Sequence, residues 1–456
     1  MKYSTASSPH SRVVALSTAL VGFWVAIGSM PAAALDLRQA YESAVANDAT
    51  IRASRAAAEA GRERLPQARA QQLPSVSLSA NRTHNDLTSK TRNILGQPTT
   101  TENQYYSGSQ TLAVRQPLYR PYVSALVRQA EALVEDADAT LDRDEQSLVT
   151  RVGEAYFDAL LAQDQVILVS GQKSTYSTQL DAASKSLLAG SGTRTDVDEA
   201  QARLDLTLAQ ELEAQQNVEF TRRRLEVLTG NPVDMLASLD IARFTPEVPV
   251  PNSVDAWIER AESASPEMKS ARAQLEAARE EVEKAKSGHL PTLDAVAQWS
   301  RSSSDSVTNV NSRYDNKSIG LQLSIPLYAG GAVSSAVRQA VAAQERARET
   351  LEVTRRDLSV RVHREFRGVT EGVLRVRALE QAVRSAEQAV LSNKKSFQAG
   401  SRTTVDVLNA EQQLTVAKRD LAQARYLHLV SRLRLHALAG EDKLANVDQI
   451  NGALAP

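Results

Sequence analysis

The stretch GSRTTVDVLNAEQQL, Gly400 to Leu414, has a second copy half a chain earlier, GSGTRTDVDEAQARL, Gly190 to Leu204. In each copy a glycine stands where a long helical pattern ends, and a hydroxyl-rich bend leads into the next helical pattern. An aspartate follows the glycine by six residues, Asp196 in the first copy and Asp406 in the second. A glycine closing one helical pattern just before another opens marks a turn between helices. Each copy therefore predicts the tip of a helical hairpin.

The chain flanking the tips repeats as well. Before the first tip, Pro121 to Ala189 is almost free of proline, and as one continuous helix it would be about 100 Å long at roughly 1.5 Å per residue. After it, Asp196 to Leu228 is helical and stops at Thr229-Gly230-Asn231-Pro232. Around the second tip, one long helix runs to Ala399 and another from about Thr404 to Ala439, ending at Leu438-Ala439-Gly440. Further upstream, alanine-rich Asp36 to Leu73 ends at Pro74 as Ser253 to His289 ends before Leu290-Pro291, because a residue preceding proline is pushed out of the helical region.

Between these helical patterns the period switches from 3.6 to 2. Val76, Leu78 and Ala80 alternate with polar residues, and a second strand is expected at about Tyr105 to Arg115, the two separated by a polar loop over Arg82 to Gln104. In the second half Leu293, Ala295, Ala297 and Trp299 alternate, Arg301 to Lys317 reads as a polar loop, and Ile319, Leu321, Leu323 and Ile325 alternate most cleanly. Gln116-Pro117-Leu118-Tyr119 and Ile325-Pro326-Leu327-Tyr328 close the two pairs. Pro74 to Pro291 spans 217 positions, while Gly190 to Gly400 and Gly230 to Gly440 each span 210, the agreement expected of an internal duplication.

The expected organisation is a first repeat over 35–230, with β-hairpin 75–115 and tip 190–196, and a second over 253–440, with β-hairpin 292–325 and tip 400–406. A proline-rich linker, 231–252, joins them and 441–456 is a tail. Residues 1–34 read as a secretory signal: Lys2 and Arg12 precede the apolar run Val13 to Ile27, and Ala32-Ala33-Ala34 supplies the cleavage site. The run is shorter than the roughly 20 apolar residues of a spanning helix. No cysteine follows to carry a lipid anchor.

The 456 residues contain no cysteine, which excludes disulfides and thiolate metal sites. Lysine plus arginine (53) balances aspartate plus glutamate (54), which argues against a nucleic-acid binder. Aromatic content of only 4% with abundant alanine suits long helices packed side to side. Val407, Leu414, Leu421 and Leu435, with His428 in the gap and Ala410, Ala417 and Ala424 alongside, form such a helical seam.

Four strands in one chain cannot close a barrel, for which about eight is the practical minimum, and an open edge is not tolerated in lipid. Strands of about 8 to 11 residues that are apolar on one face match a tilted crossing of an outer membrane. Several chains must then share one barrel.

The order helix, strand hairpin, long helical hairpin, twice over, together with Gly400-Ser401-Arg402-Thr403-Thr404-Val405-Asp406-Val407-Leu408, resembles the TolC family of outer-membrane channel-tunnels, from about Leu35 to Gly440. The resemblance implies an α+β membrane protein of long helices arranged as an α-barrel, a homotrimer with a shared twelve-stranded β-barrel in the outer membrane and a helical tunnel in the periplasm. It implies export through a partnership with a periplasmic adaptor and an inner-membrane ABC or proton-driven transporter. Carried over by position, Arg402 holds the closed tip by bonding Thr195 and Asp196, and Asp406 belongs to an acidic ring at the entrance. Phe397 and Asn409 stand where the family pattern has a gating tyrosine and a second tip acid, so closure should rest chiefly on Arg402.

No enzyme is indicated. The six histidines are scattered, His428 and His436 have no third ligand, and there is neither a phosphate loop nor a nucleophile beside a base, so no catalytic residue, metal or cofactor is expected. The leading expectation is a duct for type I protein secretion, small toxic compounds, or both. The alternatives are a multidrug-efflux component only, and a periplasmic coiled-coil structural or adaptor protein without a channel.

Overall fold

A computed structural model describes residues 34–304 and 312–455. The signal at 1–34 therefore lies, but for Ala34, outside the described residues, as does the centre of the second polar loop. Three short helices open the chain, α1 (Leu37–Asn47), α2 (Ala49–Arg62) and α3 (Arg64–Ala70), where one continuous helix is expected from the sequence. The first break is at Asp48, whose extended backbone (φ −61°, ψ 120°) lets its carboxylate accept the Ile51 amide and cap α2. A carboxylate that caps the next helix competes with continuation of the previous one.

Strands β1 (Ser75–Arg92) and β2 (Pro98–Tyr119) follow, 18 and 22 residues long. The polar stretch expected as a loop is largely strand: pairing runs without interruption from Ser75↔Arg115 to Arg92↔Pro98, leaving a turn of five residues. The reason is physical. Beyond the membrane both faces meet water, so apolar alternation disappears while backbone pairing continues.

Helix α4 (Pro121–Leu188) and helix α5 (Arg194–Thr229) make the first hairpin. Helices α6 (Val254–Ala264) and α7 (Pro266–Lys286) are separated at Ser265-Pro266, a break the uninterrupted expectation missed. Strands β3 (Thr292–Ser304) and β4 (Ser312–Ser324) again reach into the expected loop. Helices α8 (Ala332–Gln398) and α9 (Thr404–Leu438) make the second hairpin, and α10 (Lys443–Asn451) ends the chain.

The four strands form one antiparallel sheet in the order β1-β2-β3-β4, with β1 and β4 as open edges. All the described helices attach at one end of it. Along α4 lie α5 on the tip side and α1 to α3 on the sheet side; α8 is flanked in the same way by α9 and by α6 with α7.

The core sits midway along the long helices. Leu148, Val152, Tyr156, Phe157 and Leu160 of α4 pack against Leu37 and Tyr41 of α1, Leu429 and Leu433 of α9, and Ile450 of α10. The segment 231–252 is not a loose linker, since Val233, Leu236, Ala237 and Phe244 are buried in this cluster. The Tyr156 hydroxyl donates between the carbonyls of Leu35 (3.0 Å) and Ala237 (2.8 Å). A second cluster gathers Trp257, Leu358, Val362 and Leu435.

Candidate functional site

Two regions carry features that helix packing within the protomer does not require, the hairpin tips and the sheet.

At each tip the last turn closes on a left-handed glycine, Gly190 (φ 75°) and Gly400 (φ 77°). The Ser191 and Ser401 amides reach back to the carbonyls of Ser186 and Ser396, both at 3.0 Å. Three residues after each glycine a threonine caps the next helix: Thr193 and Thr403 accept the amides of Asp196 and Asp406, and those aspartates accept the threonine amides in return. The two aspartates six residues after glycine are therefore the third helical residues of matching capping boxes. The threonine-x-x-aspartate spacing was present in the sequence as a capping signal.

Asp196 is held below the usual carboxylate range, first by the Thr193 hydroxyl at 2.6 Å and then by the Thr193 amide and the Thr404 hydroxyl of the other tip. Asp406 is lowered by the Thr403 amide and hydroxyl, both at 2.9 Å, and by Arg402. Both carry full negative charge at neutral pH.

Within one protomer Arg402 does not reach Thr195 or Asp196. Its guanidinium lies 3.5 Å from Asp406, one helical turn on. The short i,i+4 path is available to a single chain, so Arg402 and Asp406 are brought together and Asp196 is paired elsewhere.

A further contact that joins the two hairpins near their tips was not expected. Arg203 of α5 donates to Asn409 Oδ1 (2.9 Å) and Gln412 Oε1 (2.8 Å) of α9, while Glu199 holds the base of the fork at 2.9 Å. Asn409, read as a missing acid, is thus an acceptor for an arginine. No periodicity marks Arg203, because its partners lie more than 200 positions away. Phe397 is 44% exposed in the single protomer.

His428 is buried, its pKa lowered to about 4 by burial and by Arg432, and His436 pairs with Glu441 at 2.6 Å. Among the described residues, no group of three or more histidines and carboxylates could hold a metal ion.

The sheet has one apolar face. Residues directly opposite in an antiparallel pair share a face, so the register places Val76, Val114, Ala297 and Ile319 in one row and Leu78, Leu112 and Trp299 in the next. Leu78, Ile319, Leu321 and Leu323 are 61–89% exposed. The opposite face is polar, with Ser77, Ser79, Thr111 and Gln322. At the helix end of that face Asp294 is almost fully buried, taking Arg120 (2.6 Å) and Arg115 (3.0 Å) together. Among the described residues no helix is long and apolar enough to cross a membrane.

A sheet apolar outside and polar inside, with open edges and helices at one end only, is one section of a membrane barrel completed by other copies. The profile of the family described as "Outer membrane efflux protein" matches residues 40–231 and 257–441. The chain belongs to the outer membrane efflux protein family, and it is an outer-membrane channel whose helical tunnel lies in the periplasm. It is 36% identical over 430 residues to the alkaline protease secretion protein AprF of Pseudomonas aeruginosa, covering 93% of this chain and 88% of that protein. It is 33% identical over 413 residues to the proteases secretion protein PrtF of Dickeya chrysanthemi (90% and 89% covered), and 30% identical over 446 residues to the outer membrane protein TolC of Escherichia coli (96% and 88%). Among solved structures it shares its fold with CusC (TM-score 0.77, 16% identity, covering 89% of this chain and 92% of that one). The same holds for VceC of Vibrio cholerae (TM-score 0.75, 21% identity, 89% and 96%). Members of the family form trimeric channels that work with periplasmic adaptors and inner-membrane transporters, and are transport proteins rather than catalysts.

Proposed function

We propose that three copies of this chain form an export duct for proteins, fed by an inner-membrane ABC transporter through a periplasmic adaptor that engages the helical tips. The observation carrying the duct is the sheet: one face exposes Leu78, Ile319, Leu321 and Leu323 and the other is polar, an arrangement useful only around a water-filled lumen in lipid. Protein cargo is favoured over small compounds because AprF and PrtF, named for protease secretion, are similar to this chain over about nine-tenths of its length. Efflux of small toxic compounds is the second reading, favoured by the comparably long similarity to TolC.

In the trimer, Arg402 would exchange its local partner Asp406 for Thr195 and Asp196 of an adjacent tip. An arginine fork bonds a carboxylate and a hydroxyl together, and such charge-assisted bonds are about twice as strong as neutral ones. Released from Arg402, three copies of Asp406 around the axis form the acidic entrance ring. The two halves, 35–230 and 253–440, act as duplicated units, each supplying one strand pair and one helical hairpin.

Deleting the gene and assaying both a secreted protease and sensitivity to drugs and bile salts tests the cargo. Loss of secretion with unchanged sensitivity supports the protein duct, and the reverse pattern contradicts it.

A further inference from the structure

The membrane-facing side of the sheet changes character in steps toward the end remote from the helices. Above the apolar rows comes Leu78–Leu112–Trp299–Lys317, then Ala80–Gln110–Arg301–Asp315, then Arg82–Gly108–Ser303–Arg313. Because every described helix attaches at the opposite end, this end emerges in the outer leaflet. Trp299 sits where an aromatic girdle meets the headgroups, and its indole donates to Asp315 at 2.9 Å.

The outermost of these rows is unusual in composition. Arginines occupy the two ends and the smallest residues, glycine and serine, occupy the middle. At roughly 4.8 Å between neighbouring strands, Arg82 and Arg313 stand about 14 Å apart across a trough floored by Gly108 and Ser303. An open cleft of about 920 Å³ at this end of the sheet is lined from both faces, by Arg82, Arg301 and Arg313 of the membrane-facing side and by Asn81, Ser109 and Tyr314 of the other. Asp315 is the one carboxylate lining it, and Arg301 already neutralises it at 3.1 Å. Arg82 rests over the Tyr106 ring, 5.1 Å from its centre, with no carboxylate partner among the described residues, and Arg313 has none either. Two guanidinium groups without a carboxylate partner among the described residues, at headgroup depth and separated by a polar floor, are complementary to a disaccharide bearing a phosphate at each end.

We propose that this row binds the diphosphorylated glucosamine disaccharide of the outer-leaflet lipopolysaccharide, with Arg82 on one phosphate, Arg313 on the other and the sugars over Gly108 and Ser303. Arginine forks suit phosphate oxygens. Acyl chains would descend from the sugars along the Leu112, Val114 and Ile319 rows.

The purified full-length trimer, titrated in detergent with diphosphoryl lipid A, monophosphoryl lipid A and phosphatidylglycerol and read by native mass spectrometry, tests this. The diphosphoryl form should bind on the order of tenfold more tightly than the monophosphoryl form, and more tightly still than phosphatidylglycerol. The double variant Arg82→Gln/Arg313→Gln should lose that preference while keeping a heat-resistant trimer. Ser303→Leu, which fills the trough and leaves both arginines in place, should weaken lipid A alone. Equal affinity of the wild type for diphosphoryl lipid A and phosphatidylglycerol would overturn the proposal. So would either variant binding lipid A as the wild type does.

Discussion

Replacing Arg203 by methionine removes two of the bonds that tie α5 to α9 near the tips while keeping a stem of similar length. Arg203 is 19% exposed on its side chain, so water reaches the site and part of each bond is recovered after the change. A bond involving a charged group contributes about 1.5–3 kcal/mol when well shielded. Discounted for exposure, a loss of about 1 kcal/mol per protomer is reasonable for the pair of bonds. If the three tips open together, the closed state loses about 3 kcal/mol, which shifts the closed-to-open equilibrium roughly 150-fold. In planar bilayers, Arg203→Met channels should open more often and to higher conductance than the wild type. Asn409→Asp should act in the opposite direction, because a carboxylate accepts the same fork more strongly. In a double-mutant cycle, Arg203→Met on the Asn409→Ala/Gln412→Ala background should add little, since both acceptors on α9 are already gone. Unchanged conductance in Arg203→Met, or full additivity with Asn409→Ala/Gln412→Ala, would refute the clamp.

Other outcomes follow from the same contacts. Arg402→Ser should raise single-channel conductance if Arg402 bridges neighbouring tips in the trimer; unchanged conductance would leave it as the local partner of Asp406. Asp406→Ala should weaken block by multivalent cations, and undiminished block would remove it from the entrance ring. Asp294→Asn leaves Arg115 and Arg120 facing each other; with Arg115 half exposed, the cost should be about 2 kcal/mol per protomer, seen as a lower temperature for loss of the heat-resistant trimer. His428, with its pKa near 4 against an ordinary 6.5, is kept neutral by the fold. The unfolded chain takes up the proton first, so stability complete above about pH 6.5 falls as the pH drops toward 4, by roughly 2 kcal/mol per protomer at pH 5. His428→Gln should flatten that slope between pH 7.5 and pH 5, and an unaltered slope would place the acid sensitivity elsewhere.

The helical hairpins were legible because glycine and the following hydroxyl fix a turn locally, and the long helices between Pro121 and Leu188 and up to Gln398 needed only an absence of breakers. Strand ends were not legible. Apolar alternation reports contact with lipid and stops at Trp299 and Ile319, whereas pairing continues to Ser304 and Ser312 in water. The break at Asp48 left no signal, because a carboxylate looks like an ordinary helix residue until its capping bond is placed, whereas Ser265-Pro266 carries the same residue-before-proline signal as Leu73-Pro74 and Leu290-Pro291. The packing of 231–252 was hidden for a similar reason: prolines announce a linker, while Leu236, Ala237 and Phe244 reveal their burial only beside Tyr156 and α9. At the tips, the sequence singled out Asp196 and Asp406, whose threonine-x-x-aspartate spacing is the signal of the capping boxes they form, and it passed over Arg203 because contacts between distant helices leave no periodic trace.

Three copies of this chain are expected to build one outer-membrane barrel and periplasmic tunnel. Single-particle imaging of the protein purified from outer membranes into lipid nanodiscs tests it most directly. Three copies around a threefold axis, with twelve strands closing β4 of one protomer against β1 of the next and Leu78, Ile319 and Leu321 facing lipid, is the predicted result. A monomer recovered from the soluble periplasm, or an oligomer with Ser77, Ser79 and Gln322 turned toward lipid, would contradict it.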